Sequence, residues 1–257
     1  MATFTLPYEL RALAKAHSRT VYGLLMQCAT ATLQQFAKNK NGFEAELGLC
    51  AVLHTNTRRL DYHPHVHIVI PAGGVHRQRR EWRTLDKAYL FSAKALAKVF
   101  RARLLKALNH AGLGTQVTAK KWVVHCQPVG RGRSALRYLS RYLYRGVIHH
   151  RHILDDHNGW VTFQYKDSQN NEWQQRRMKA EDFLWLILQH VLPKGFRRAR
   201  DYGFLHGNAK ALLKMIQWTM RVILTTPEKK VNAKLLCPNC QGVMVWQGII
   251  VPKPQPG

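Results

Sequence analysis

Three histidines stand at alternate positions in DYHPHVHIVIPAGGV, residues 61–75: His63, His65 and His67. Side chains of a strand alternate between its faces, so the three imidazoles project to one side and Pro64 and Val66 to the other. Neighbouring imidazoles on one face can converge on a single ion. Pro64 has no N–H to give to a ladder, which puts Asp61 to Pro64 at a strand start and lets VHIVI run on into the sheet. One such histidine is ordinarily a polar residue on a half-buried strand, whereas three in register ahead of an apolar run favour a metal. Imidazole suits Mn, Zn, Fe, Co or Ni better than Mg or Ca, yet a histidine pair with open positions holds Mg or Mn when a phosphate completes the shell. With no cysteine close by in the sequence, an open, catalytic site is expected rather than a closed structural zinc site.

A second group with chemistry lies in RYLSRYLYR, residues 137–145. Tyr138 and Tyr142 are four apart, which on a helix places them on one face about 6 Å apart along the axis. Arg137, Arg141 and Arg145 form a parallel stripe beside them. A helix with its aromatics packed inward and its arginines solvated would account for either set alone. Together they put phenolic hydroxyls next to guanidinium groups that grip phosphate, a face suited to a nucleic-acid backbone. A tyrosine that attacks phosphorus forms a phosphotyrosyl link and keeps the reactivity of the diester for a later rejoining. With a pKa of about 10, a free tyrosine is only about 0.1% phenolate at neutral pH and needs help. A cation held by the histidines would polarise the phosphate, so the two groups read as complementary halves of one reaction.

Bulk charge points to the same partner. Lys and Arg number 40 against 14 Asp and Glu, a formal net charge of +26. Self-repulsion of that size calls for a polyanion, and nucleic acid is the commonest one. No apolar run approaches the ~18 residues of a membrane span, and no membrane association is expected. Five cysteines and an N-terminus without signal-peptide character fit a reducing cytoplasm. Further basic residues, Arg197, Arg198 and Arg200, stand beside Phe196 and Tyr202 in PKGFRRARDYG, a mixture suited to phosphate contact with base stacking. Cys237 and Cys240, in CPNC, have zinc-ligand spacing but form only half of a four-ligand site.

The elements that must position these groups follow from periodicity. TLPYELRALAKAH and SRTVYGLLMQCATATLQQFAK read as helices, the second capped by Ser18. EAELGLCAVLHT reads as a strand, NTRRLDY as a connection, and the histidine stretch as the next strand, closed by PAGG. Leu96, Phe100, Leu104 and Leu108 make the apolar stripe of a helix that packs on a sheet. KKWVVHCQPVG is a third strand and SALRYLSRYLYR a helix capped by Ser134. ILDDHNGWVTFQYKD is a hairpin turning at Asn158-Gly159, with Val161, Phe163 and Tyr165 on one face. EDFLWLILQHVLPKG is a helix stopped by Pro193, and the basic stretch that follows is helical in its second half. The domain organisation expected is a helical segment over 1–42, a core with the histidine strand and the tyrosine helix over 43–150, a hairpin and helices packed on it over 151–225, and a tail with the CxxC over 226–257.

Four blocks in this order, AVLHTNTRRLDYHPHVHIVIPAGGV, LRYLSRYLYRGVI, GWVTFQYKD and EDFLWLILQHVLPKGFRRARDYGFL, resemble the HUH endonucleases, and among them the two-tyrosine transposases of rolling-circle insertion sequences. The resemblance runs from about Thr5 to about Leu205. It implies an α+β fold with a central antiparallel sheet, the histidines on a middle strand, flanking helices, and helical additions at both termini. It implies that His65 and His67 are the metal pair, with His63 as third ligand and Asp61, Glu46 and Gln127 in reserve. It implies Mg or Mn as the cofactor and Tyr138 and Tyr142 as nucleophiles, cutting single-stranded DNA at transposon ends to leave a 5′-phosphotyrosine and a free 3′-hydroxyl. Relatives carry a cysteine-rich zinc-binding segment ahead of the first helix, and this sequence starts where that segment would end, so recognition of the transposon end is expected to suffer. Tyr144 and Asp201 stand where relatives carry histidine. A truncated remnant that binds nucleic acid without cutting it, and a relaxase or replication initiator of the same superfamily, are the alternatives. A homo-oligomer is left open.

Overall fold

The computed structural model describes residues 1–85, 91–114, 122–130, 132, 135, 137, 139–140, 147–167, 170–223 and 236–245. Strands β1 (Ala2–Thr5), β2 (Leu49–Asn56) and β3 (Tyr62–Val69), with helices α1 (Arg11–Ala16) and α2 (Ser18–Asn39), make up the first part of the chain. A hairpin of β4 (Gly73–His76) and β5 (Glu81–Thr84) precedes α3 (Ala93–His110) and β6 (Val124–Cys126). After these come β7 (Ile153–His157), β8 (Trp160–Lys166), β9 (Trp173–Lys179), α4 (Ala180–Leu188), β10 (Ala199–Tyr202) and α5 (Lys210–Thr219).

Five strands pair in the order β10-β2-β3-β1-β6, every pairing antiparallel, so β3 is the middle strand of an α+β fold. The alternation of β3 decides which way the sheet faces. Val66 and Ile68 are fully buried, as are Ala2 and Phe4 of β1 and Ala51 of β2, which pair in register with them. Against this face lie α2, through Leu25, Ala29 and Leu33, and α3, through the expected stripe Leu96, Phe100, Leu104 and Leu108. Phe100 stands edge-on to Phe4 at 5.0 Å between ring centroids and to Trp122 at 5.6 Å. Burying each such ring stabilises the fold by roughly 1.5–3 kcal/mol, and the helix layer thereby leaves the histidine-bearing face of β3 for chemistry.

Several elements differ from the expectation. The first residues form β1 and not the lead-in to a helix. At four residues this strand is too short for periodicity to show, and it exists because β3 and β6 pair with it on both sides. The histidine strand ends at Val69, just before PAGG as expected, but the glycines of PAGG also open the β4–β5 hairpin, tied back through Glu46 pairing with Val75. The basic RRARDY stretch contributes β10, the sheet edge beside β2. Ser18 begins α2 without capping it, His17 being the cap residue, while Ser92 caps α3 by accepting from the Ala95 N–H at 3.3 Å. Asn158 and Gly159 both have positive φ, 53° and 74°, as the two-residue turn of the β7–β8 hairpin requires. α4 ends at Leu188, and the buried His190 beyond it donates from Nε2 to the Leu60 carbonyl at 2.8 Å, fastening this region to the loop before β3.

The chain divides into two compact units, Met1–Val222 and Ile223–Gly257. Within the second, Leu236 pairs with Val243 and the Cys237 N–H donates to the Gly242 carbonyl at 2.8 Å, so CPNC forms the tip of a small turn. Backbone N–H groups of Cys240 and Asn239 hold the Cys237 thiol below its usual range. Among the described residues, no helix is long and apolar enough to cross a membrane.

Candidate metal centre and nucleic-acid interface

The histidine face of β3 acquires its neighbours from pairing register. His65 stands opposite Thr5 of β1 and His54 of β2, and His67 opposite Thr3 of β1 and Val52 of β2. Directly paired residues of antiparallel strands share a face. The His54 ring therefore meets the pair, with centroids 5.2 Å from His65 and 4.5 Å from His67, while His65 and His67 are 4.8 Å apart. One ring nitrogen from each of the three comes within 4.8 Å of those of the others. Two nitrogens bound at about 2.1 Å to one cation lie at most about 4.2 Å apart, so a slight inward turn of the rings closes the set.

The tautomers suit this. His65 Nδ1 lies 2.6 Å from the His63 carbonyl, which can only accept, so Nδ1 carries the proton and Nε2 keeps its lone pair. His67 Nδ1 is 2.9 Å from the Thr3 hydroxyl, the kind of outer partner that fixes a ligating imidazole. Burial holds all three in the neutral, ligand form. It lowers His54 to about 2, helped by His67, His65 and the Arg198 guanidinium. It lowers His67 to about 3, helped by His65, and it lowers His65. A Thr3→Val variant, which removes the hydroxyl and keeps the shape, is expected to weaken Mn binding by about 10–100-fold in a calorimetric titration.

His63 is placed differently. Its Nδ1 accepts from the Arg11 guanidinium at 2.5 Å, so that lone pair is already engaged, and the residue falls outside the cluster of three. The carboxylates in reserve are held elsewhere: Asp61 by Arg176 at 3.1 Å and Arg59 at 3.6 Å, Glu46 by Arg77 at 2.5 Å. Gln127 does line the groove over the histidines, a hollow of about 490 Å³ bounded also by Thr3, Thr5, His63, His65, His67 and His125. Two hollows of about 510 Å³ each, beside Cys28 and beside Phe91, lie against α2 and bring no such groups together.

The arginines divide. Arg198 is half-buried, and its charge reaches His54. Arg200 lies over the Phe196 ring at 4.7 Å and donates to the Arg197 carbonyl, and Arg197 is exposed. Asp201, beside Cys50 in the β10–β2 pairing, accepts from that thiol, and burial together with this carboxylate pushes Cys50 up to about 12. Arg137 is exposed and its carbonyl accepts from Ser140 at 2.9 Å, while Ala135 and Leu139 are buried. Tyr138, Tyr142, Tyr144, Arg141, Arg145 and Ser134 lie outside the described residues.

The residue missed by sequence reasoning is His54. Its signal was a lone imidazole in the otherwise apolar run LCAVLHT, and the connection that follows fixes where it goes. Thr57 N–H donates to the Asp61 carbonyl at 3.0 Å, closing a tight turn. Folding β2 back about that turn sets His54 opposite His65.

Comparison with known proteins adds the lineage. A family model described as "Putative transposase", Y2_Tnp, matches residues 48–212, which include His54, His65, His67 and the tyrosine block. The chain belongs to this transposase family. The likeness of its four blocks to HUH-endonuclease transposases is borne out at that level. Relatives include "Putative transposase y4qJ" of Sinorhizobium fredii, 32% identical over 238 residues, covering 83% of this chain and 60% of the relative. Another is the transposase for insertion sequence element IS801 of Pseudomonas savastanoi pv. phaseolicola, 30% identical over 220 residues, covering 79% of this chain and 53% of the relative. The chain thus spans somewhat more than half the length of these family members. Two solved structures of the conjugative relaxase TrwC, one with mutant OriT DNA and one metal-bound with OriT DNA, align at a TM-score of 0.38 each. Their identities are 15% and 17%, and they cover 84% and 85% of this chain and 72% and 69% of the relaxase chains.

Proposed function

We propose that this chain is a metal-dependent nuclease and strand transferase that acts on single-stranded DNA at transposon ends through a tyrosine nucleophile, in rolling-circle transposition. The observation that carries this reading is the convergence of three neutral imidazoles, His54, His65 and His67, of which His65 and His67 line a groove on the sheet. Among the described residues no carboxylate belongs to the group, so the charge of a bound cation would be left for a phosphate to balance. Mg or Mn bound there would supply Lewis-acid stabilisation to the phosphoryl oxygens.

The chain's own residues do the rest. Thr3 and the His63 carbonyl hold the His67 and His65 rings in ligating orientation. The Arg198 guanidinium, whose charge reaches His54, adds positive potential at the cluster. The phenolic oxygen of Tyr138 or Tyr142 attacks phosphorus as its proton leaves. The bond from phosphorus to the 3′-oxygen breaks, that oxygen takes up a proton, and the 5′-phosphate stays joined to tyrosine. One diester bond is exchanged for another, so the reverse attack by a DNA 3′-hydroxyl rejoins strands without an outside energy source.

The test is cleavage of an end-labelled single strand carrying a transposon end. Mn should yield a downstream fragment joined to the protein through its 5′-phosphate and an upstream fragment with a free 3′-hydroxyl, and chelator should suppress both. A gel shift without cleavage under every metal condition would identify the non-cutting remnant instead, and cleavage of plasmid-origin sequences in preference to transposon ends would favour a relaxase or initiator. Binding should also fall steeply with salt. If about six phosphates are neutralised, the log–log slope is about −4, and a slope near zero would contradict the electrostatic part of the reading.

A further inference from the structure

A second surface has the composition of a nucleic-acid platform. Strands β8 and β9 pair in register from Trp160↔Lys179 through Thr162↔Arg177 and Gln164↔Gln175 to Lys166↔Trp173. These eight residues share one face, and none is buried. The other face of the same ladder carries Val161 and Phe163, packed with Phe183 and Leu60, so burial fixes which side looks out. Arg176, on the inner side, reaches Asp61 at 3.1 Å and ties this sheet to the entrance of β3.

Tryptophans rarely face solvent on a sheet, since each forgoes a large burial energy. Here Trp160 is 39% exposed and Trp173 55% exposed. Each is propped from one side: the Arg177 guanidinium lies 5.1 Å from the Trp160 ring, and the His152 ring stacks on Trp173 at 5.2 Å with an interplanar angle of 29°. Six residues along a strand separate the two ends of the face by about 20 Å, room for several nucleotides. Between the tryptophans run cations and amides, with Asp155 of β7, paired to Thr162, as the acidic exception. A hydrophobic protein partner would call for an apolar patch. Aromatic platforms interleaved with Lys and Arg fit unstacked bases on a phosphate chain.

We infer that the solvent face of the β7–β8–β9 sheet is a second binding surface for single-stranded DNA, on which bases stack against Trp160 and Trp173 while Lys166, Arg177 and Lys179 hold the backbone. This rests on the reading that the chain's substrate is single-stranded DNA. It adds a surface that steadies the strand away from the histidine groove, independent of the sequence at the cut.

The experiment is anisotropy with a fluorescein-labelled oligothymidylate, which contains no transposon end, on the full chain and two double variants. W160A/W173A should weaken binding by about tenfold or more, with an unchanged thermal melt, and W160F/W173F should stay within about threefold of the parent, because phenylalanine still stacks. Unchanged affinity in the alanine pair would overturn the inference. So would an equal loss in the phenylalanine pair, or a loss confined to duplex DNA or to oligouridylate. Wild-type cleavage of a transposon-end strand, measured alongside, separates the two readings. The expected loss in the alanine pair from a chain that never cuts would leave this surface standing and remove the nuclease. Cutting with no loss would do the reverse.

Discussion

Changing His54 to alanine is expected to lower Mn affinity by about a hundredfold or more and to remove metal-dependent strand cleavage. Loss of a partner that merely orients a ligand costs about 10–100-fold, and a ligand should cost at least the upper end of that range. Alanine at this buried position also opens a cavity, so the change should be read beside His54→Gln, which fills the space with a weaker metal ligand. Both should bind oligothymidylate as the parent does. The informative contrast is His63→Ala. Its Nδ1 already accepts from Arg11, so removing it should cost about tenfold or less. A titration in which His63→Ala is as damaging as His65→Ala while His54→Ala is neutral would restore the set of three on β3 alone.

Converting both Tyr138 and Tyr142 to phenylalanine should reduce the covalent protein–DNA product on a denaturing gel to background. The change deletes two hydroxyl oxygens and keeps the rings and the arginines of the same stretch, so oligonucleotide affinity should stay within about threefold. Each single change should leave the other tyrosine able to form an adduct, but block the completed transfer, which needs two successive attacks. Tyr144→Phe should behave as the parent, since two residues beyond Tyr142 it falls outside the four-residue spacing of the pair. An adduct that survives the double change would remove tyrosine chemistry from the account.

The histidine strand and the amphipathic helix over Leu96 to Leu108 could be read from the sequence because each repeats a period long enough to stand out, whereas the antiparallel sheet and the strand's middle place in it were implied by the resemblance to the HUH endonucleases. Strand β1 could not, since Ala2–Thr5 is strand only by virtue of two partners far off in sequence. The same holds for β10, whose arginines read as a basic loop until paired with β2. The histidine cluster divides along this line. His65 and His67 share a strand, so alternation alone puts them together, whereas His54 joins them through pairing register, and His63 shares their face yet is engaged by Arg11 from outside the sheet. Local pattern shows which residues face one way, and only tertiary register shows which of them meet.

The most direct measurement is the mass of the peptide that remains attached to DNA after a Mn-dependent reaction. Trypsin cuts after Arg137, Arg141 and Arg145, leaving Tyr138 in YLSR and Tyr142 in YLYR, so the two tyrosines fall in separate fragments. A 5′-phosphorylated oligonucleotide on one of these fragments, at Tyr138 or Tyr142, formed with Mn and lost with chelator or in His54→Ala, is the result predicted. DNA attached to any other residue, or attached equally well without metal, would contradict the account.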